Sequence, residues 1–94
     1  MLTAVLSAVE ALAPALALEL APVRVNTVTP GLIDTPLLRA SGPEWETRVQ
    51  NRAAMLPGKR VGTADEVAQV ILMLMTNGYV TGEVVHVDGG GRFF

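Results

Sequence analysis

The stretch VRVNTVTPGLIDTPL, residues 23–37, decides the fold. Val23, Val25 and Val28 are β-branched, Thr27 and Thr29 also suit a pleated surface, and Arg24 and Asn26 alternate with apolar neighbours. This pattern predicts a strand over 23–29. Pro30-Gly31 then stops the pairing, because proline donates no hydrogen bond and glycine opens unusual dihedrals. Asp34 and Thr35 follow at once, so the strand runs into a polar loop of the kind that carries function.

Upstream, residues 2–21 read as a helix. Leu2, Val5, Leu6, Val9, Leu12 and Leu16 recur at spacings of three and four and make one broad apolar face. Pro14 removes a backbone hydrogen bond and crowds the carbonyl of Glu10, which predicts a kink or a break. Ala21-Pro22 ends the helix. Downstream, 32–42 is a loop with a possible short turn. Ser41-Gly42-Pro43-Glu44 opens a helix over 44–55, with Trp45, Val49 and Met55 as its larger apolar groups, and Leu56-Pro57-Gly58 closes it. The segment GTADEVAQVILMLMTNG, residues 62–78, is the clearest helix. Thr63 and Glu66 form a capping box, Asp65 and Glu66 favour the positive end of the dipole, and Asn77-Gly78 predicts a left-handed exit. Its VILMLM centre predicts cover on more than one face. A second strand, EVVHVD, spans 83–88, and Gly89, Gly90 and Gly91 follow. Two strands separated by helices form a βαβ crossover, which implies a parallel pair and a right-handed connection. The expectation is one α/β domain over 1–94, with two parallel strands (about 23–29 and 83–88) and three or four helices.

Composition narrows the function classes. Half of the 94 residues are hydrophobic, only four are aromatic and the net charge is −2. Lys59-Arg60 is the longest basic run, so nucleic acid and anionic membranes are not expected partners. Cysteine is absent, which removes disulfides, thiolate metal sites and a Cys nucleophile and fits a cytoplasmic setting. Residues 1–18 are apolar, but no basic n-region precedes Glu10, and Glu10 and Glu19 interrupt any membrane span. No His/Asp/Glu cluster has metal-ligand spacing. His86, between valines in a strand, reads as structural, and Ser7 and Ser41 lack a nucleophile's context.

Three segments together, ALALELAPVRVNTVTPGLIDTP at 15–36, RVGTADEVAQVILML at 60–74 and YVTGEVVHVDGG at 79–90, resemble the C-terminal part of the short-chain dehydrogenases/reductases. The resemblance implies a partial Rossmann-like unit and an oxidoreductase using NAD or NADP. It implies that Pro30, Gly31, Ile33 and Thr35 belong to the loop that lies over the nicotinamide, and that 36–56 correspond to a substrate lid with Leu37, Leu38, Trp45 and Met55. The family's phosphate turn is a G-x-x-x-G-x-G or G-x-G-x-x-G run between a strand and a helix, and none occurs here: the triple glycine at 89–91 follows the last strand with no helix behind it. The family's Tyr-x-x-x-Lys pair, in which the lysine lowers the tyrosine pKa, falls on Leu2 and Leu6. Neither can move a proton, so no catalytic residue is assigned. Tyr79 and Lys59 are the only residues of their kinds.

Three functions follow from the resemblance: a truncated family member inactive alone, an oxidoreductase subunit completed by another chain, or a structural module that keeps the scaffold. An incomplete sheet exposes an unpaired edge, so a homo-oligomer or a complementing chain is the expected partner.

Overall fold

The computed structural model describes the backbone of residues 2–93 and the side chains of residues 7–93. The expectations placed on the Leu2 and Leu6 side chains lie outside the described residues. Four α-helices, α1 (Leu2–Glu19), α2 (Pro36–Arg39), α3 (Trp45–Met55) and α4 (Ala64–Thr76), accompany four short strands, β1 (Thr27–Pro30), β2 (Ile33–Asp34), β3 (Gly62–Thr63) and β4 (Val84–Val87). A 3-10 turn covers Gly91–Phe93.

β1 and β4 pair in parallel, with Thr27 opposite Val84 and Pro30 opposite Val87. The expected crossover is therefore present. The ladder is extended by Thr27 N–H to Glu83 O at 2.9 Å and Gly31 N–H to Val87 O at 3.0 Å. Strand β1 is shorter than the predicted 23–29. Its upstream half is held by one backbone bond, Gly82 N–H to Val25 O at 2.7 Å, and by side chains. Asn26 donates to Val80 O (3.1 Å) and accepts from Glu83 N–H (3.0 Å), while the Thr81 hydroxyl accepts from Val25 N–H (3.1 Å). A second parallel pair, Ile33 with Gly62 and Asp34 with Thr63, lies where the sequence predicts loop. Two residues per strand are too few for the period-2 pattern to register.

Helix α1 runs through Pro14 as one element, so the break does not occur. Of the expected apolar face, Leu16 turns inward, Val9 and Leu12 do not, and the side chains of Leu2, Val5 and Leu6 lie outside the described residues. Val9 and Leu12 are exposed, whereas Glu10, Ala13, Leu16 and Ala17 turn inward, and Ala13 is fully covered. Small side chains let the helix approach the backbone at Gly82, where an added Cβ would stand 3.5 Å from Ala17 Cβ and 3.6 Å from Pro14 Cα. Bulky Leu and Val cannot make that approach.

Helix α3 begins one residue later than expected. It buries Val49 and Ala53, with Leu56 just beyond its end, while Met55 is exposed. Helix α4 starts with the predicted capping box: Thr63 Oγ1 accepts from Glu66 N–H (3.2 Å), and Glu66 Oε1 accepts from Thr63 N–H (3.0 Å). Its exit differs from the prediction. Asn77 is extended (φ −85°, ψ 107°) and its side chain accepts from Tyr79 N–H at 3.0 Å. A left-handed turn is not needed because Arg24 closes this end. The guanidinium donates to Leu74 O (2.6 Å), Met75 O (3.0 Å) and Val80 O (3.3 Å). A cation at a helix C-terminus also suits the dipole.

The expected all-round cover of α4 is not present among the described residues. Leu74 is buried, but Ile71, Leu72, Met73 and Met75 are 42–67% exposed. The whole molecule shows the same deficit. Its accessible surface is 6730 Å², against roughly 5200 Å² for a closed monomer of this mass. Its radius of gyration is 15.2 Å, against about 12.4 Å for a compact domain of this length.

Candidate functional site

The site grows from the end of β1. Gly31 must be glycine: an added Cβ would stand 2.7 Å from Asp88 Cβ and 2.8 Å from Asp88 Cα. That close approach locks the loop after β1 to the turn after β4. The chain then pairs as β2 with β3, where Gly62 N–H donates to Leu32 O at 2.9 Å. In a parallel ladder of this register Ile33 directs its own N–H and C=O away from β3. Thr35 (φ −132°, ψ 160°) caps α2 by accepting from Leu38 N–H at 3.3 Å. A hydroxyl that accepts still has its proton to donate.

Asp34 and Arg39 clip β2 to α2 through two bonds, Nε to Oδ1 at 2.9 Å and Nη2 to Oδ2 at 2.7 Å. The arginine's hydrogen bonds hold the Asp34 carboxyl below the usual carboxylate range. Arg39 also stands over the Trp45 ring, 5.6 Å from its centroid, which ties α2 to α3. The clip was not read from the sequence; its only trace there is an acid and a base five residues apart across Thr35-Pro36.

These contacts shape an open groove of about 530 Å³. All four residues singled out in the sequence, Pro30, Gly31, Ile33 and Thr35, line it, together with Leu32 and Leu37. Leu38 and Ser41 also reach it, and Leu38 shares a neighbouring cleft with Trp45. Of the four expected lid residues, Met55 points to solvent and lines neither. The groove is largely apolar, and the polar side chains that line it are those of Thr35 and Ser41. It also lies outside the carboxyl ends of parallel strands, where open α/β sheets bind ligands.

The turn at Gly89–Gly91 is built around Asp88, whose carboxylate accepts from Gly90 N–H (2.9 Å) and Arg92 N–H (3.2 Å). His86 Nε2 lies 3.1 Å from Glu10 Oε1. Among the described residues no group of three His, Asp or Glu side chains could hold a metal, and no helix is long and apolar enough to cross a membrane.

Comparison with known proteins accounts for this geometry. A family model described as enoyl-(acyl carrier protein) reductase matches residues 1–91. A short-chain dehydrogenase/reductase of Acremonium sp. is 36% identical over 85 residues, covering 89% of this chain and 32% of that protein. A 3-oxoacyl-[acyl-carrier-protein] reductase of Aquifex aeolicus is 42% identical over 79 residues, covering 80% of this chain and 31% of that protein. Among solved structures, a small-chain dehydrogenase in complex with NADPH superposes with a TM-score of 0.85 at 37% identity, over 94% of this chain and 41% of that one. The ligand-free aldohexose dehydrogenase of Thermoplasma acidophilum gives 0.79 at 33% identity, over 94% and 39%. The chain thus spans about a third of the length of the curated relatives it matches. With its β1–β4 crossover and its Pro-Gly loop at the strand ends, the chain belongs to the short-chain dehydrogenase/reductase family of oxidoreductases.

Proposed function

We propose that these 94 residues carry the nicotinamide side of a dehydrogenase/reductase site and are inactive by themselves. The observation that carries this reading is the single groove that gathers Pro30, Gly31, Ile33 and Thr35. In it the Ile33 backbone would meet the carboxamide and the Thr35 hydroxyl would donate to the cofactor. A bound NAD or NADP supplies or accepts the hydride. The chain's own part is to present an apolar, water-poor wall and to fix the ring's orientation. No residue here is assigned to proton transfer, since Leu2 and Leu6 occupy the positions that match the family's tyrosine and lysine.

A second reading, completion by another polypeptide, is favoured by the edge of β1. Thr27 and Gly31 bond toward β4, so in a parallel ladder Val28 directs its N–H and C=O to the opposite edge. The exposed apolar face of α4 flanks that side, where Val28, Ile71, Leu74 and Met75 line one groove. Such an edge favours strand addition. The partner is a second copy, or a chain supplying the phosphate turn and the Tyr/Lys pair.

Both readings are tested by titrating NADH and NADPH, followed by fluorescence, against the 94-residue protein, with molar mass by light scattering on the same sample. The inactive-alone reading expects no saturable binding. Saturable binding by an oligomer overturns it in favour of a rebuilt site. A stable oligomer without binding supports a scaffold role until a complementing chain restores turnover.

A further inference from the structure

Helix α1 is held to the sheet by little. Its inward stripe is Glu10, Ala13, Leu16 and Ala17, and Ala17 with Pro14 lies against Gly82, which sits at φ +76°. Small side chains bury little apolar area, so a polar contact on that stripe has unusual weight. Glu10 is the one charged residue of the stripe, and it meets His86, the chain's single histidine, at 3.1 Å. His86 lies in the middle of β4, directly across the ladder from Thr29, whose hydroxyl is buried with no hydrogen-bond partner. The histidine side chain is only 23% exposed and that of Glu10 36%.

We propose that the Glu10–His86 contact is a proton-dependent latch that sets how firmly α1 sits on the sheet. Imidazole is charged only when protonated, and it is the side chain whose charge changes around neutral pH. With the proton on, the contact is an imidazolium–carboxylate pair across a partly desolvated seam. With the proton off, it is a single hydrogen bond to a neutral ring. Asp88, Arg92 and Arg52 are the other charged groups that line the cleft. Asp88 is engaged by Gly90, Arg92 and the turn that follows β4, and Arg92 stacks on Phe93 with its guanidinium 4.3 Å from the ring centre. Arg52, from α3, lines the same cleft and is a like charge to the protonated ring. The inference is independent of cofactor binding.

The test is amide hydrogen exchange on the whole chain at pH 6 and pH 8, corrected for intrinsic exchange rates. The readout is protection in α1 relative to α4, in the parent, Glu10→Gln and His86→Gln. The expected result is a ratio that falls about two- to fivefold from pH 6 to pH 8 in the parent, as suits a pair of this exposure, and stays level in both variants. A level ratio in the parent, or the same fall in Glu10→Gln, overturns the latch. Glu10→Gln keeps an acceptor at a half-exposed site, so it decides the matter even where His86→Gln does not fold.

Discussion

Gly31 and Arg24 each do a job that no neighbouring residue can take over. At Gly31 the obstacle to any side chain is the Asp88 backbone, which cannot rotate away. Gly31→Ala is therefore expected to prise the two strand ends apart and to cost about 1–3 kcal/mol, the range for overpacking. A lower urea midpoint with an unchanged slope would show it. Arg24 serves three carbonyls at once. Arg24→Ala should cost about 1.5–3 kcal/mol, the range for hydrogen bonds to a charged group. Arg24→Lys should recover only part of this, because an ammonium cannot span the same fork. Thermal melts of the two variants against the parent separate the outcomes. The Pro-Gly loop was legible at this scale because glycine and proline act locally. Arg24 was not, since its partners stand fifty positions away and a lone arginine in a strand pattern carries no mark of them.

Helix α4 shows what an element's two ends reveal. Its start is written in four consecutive residues, Thr63 to Glu66, and the structure has that box as read. Arg60 reinforces it with bonds of 2.8 and 2.6 Å to the Glu66 carboxylate. These bonds and the Thr63 N–H lower the Glu66 pKa from its ordinary 4.5 to about 2. A carboxyl whose folded pKa is depressed adds stability above its unfolded value and loses it as the pH falls through the folded one. The parent should thus lose melting temperature between about pH 4.5 and pH 2. Glu66→Gln should be less stable than the parent at pH 7, with the gap closing toward pH 2; circular dichroism melts across that window measure it. Asp34, lowered by Arg39, contributes in the same direction. The end of α4 misled the sequence reading. Asn77-Gly78 has the composition of a left-handed exit, yet a distant guanidinium had already satisfied the carbonyls. Likewise leucine spacing marks Val9 and Leu12 of α1 for the core, whereas Ala13 and Ala17 turn inward beside Leu16.

At the scale of the molecule, the surplus surface of about 1500 Å² is near twice the ~800 Å² that one partner gives to a standard interface. The strand segments and the βαβ order were legible because each rests on short-range pattern, and the parallel β1–β4 pairing followed from that order. The exposed face of α4 was legible only as an expectation of incompleteness, since nothing among the described residues covers Ile71, Leu72, Met73 and Met75. If cover restores closure, adding a complementing chain should raise the melting temperature in a concentration-dependent way, which calorimetry at several mixing ratios would reveal.

The arginine that finishes α4 has one more consequence, for the order of events in folding. The first turn of the helix closes on itself within four residues and can form early. Its last turn waits for residue 24 to find residues 74 and 75, a loop closure across half the chain, which is entropically slow. The helix should therefore mature from its amino end, although the Asn77 N–H to Met73 O bond closes part of the last turn locally. Its carboxyl end should become protected only together with the β1–β4 pairing, so one long-range event completes helix and sheet at once.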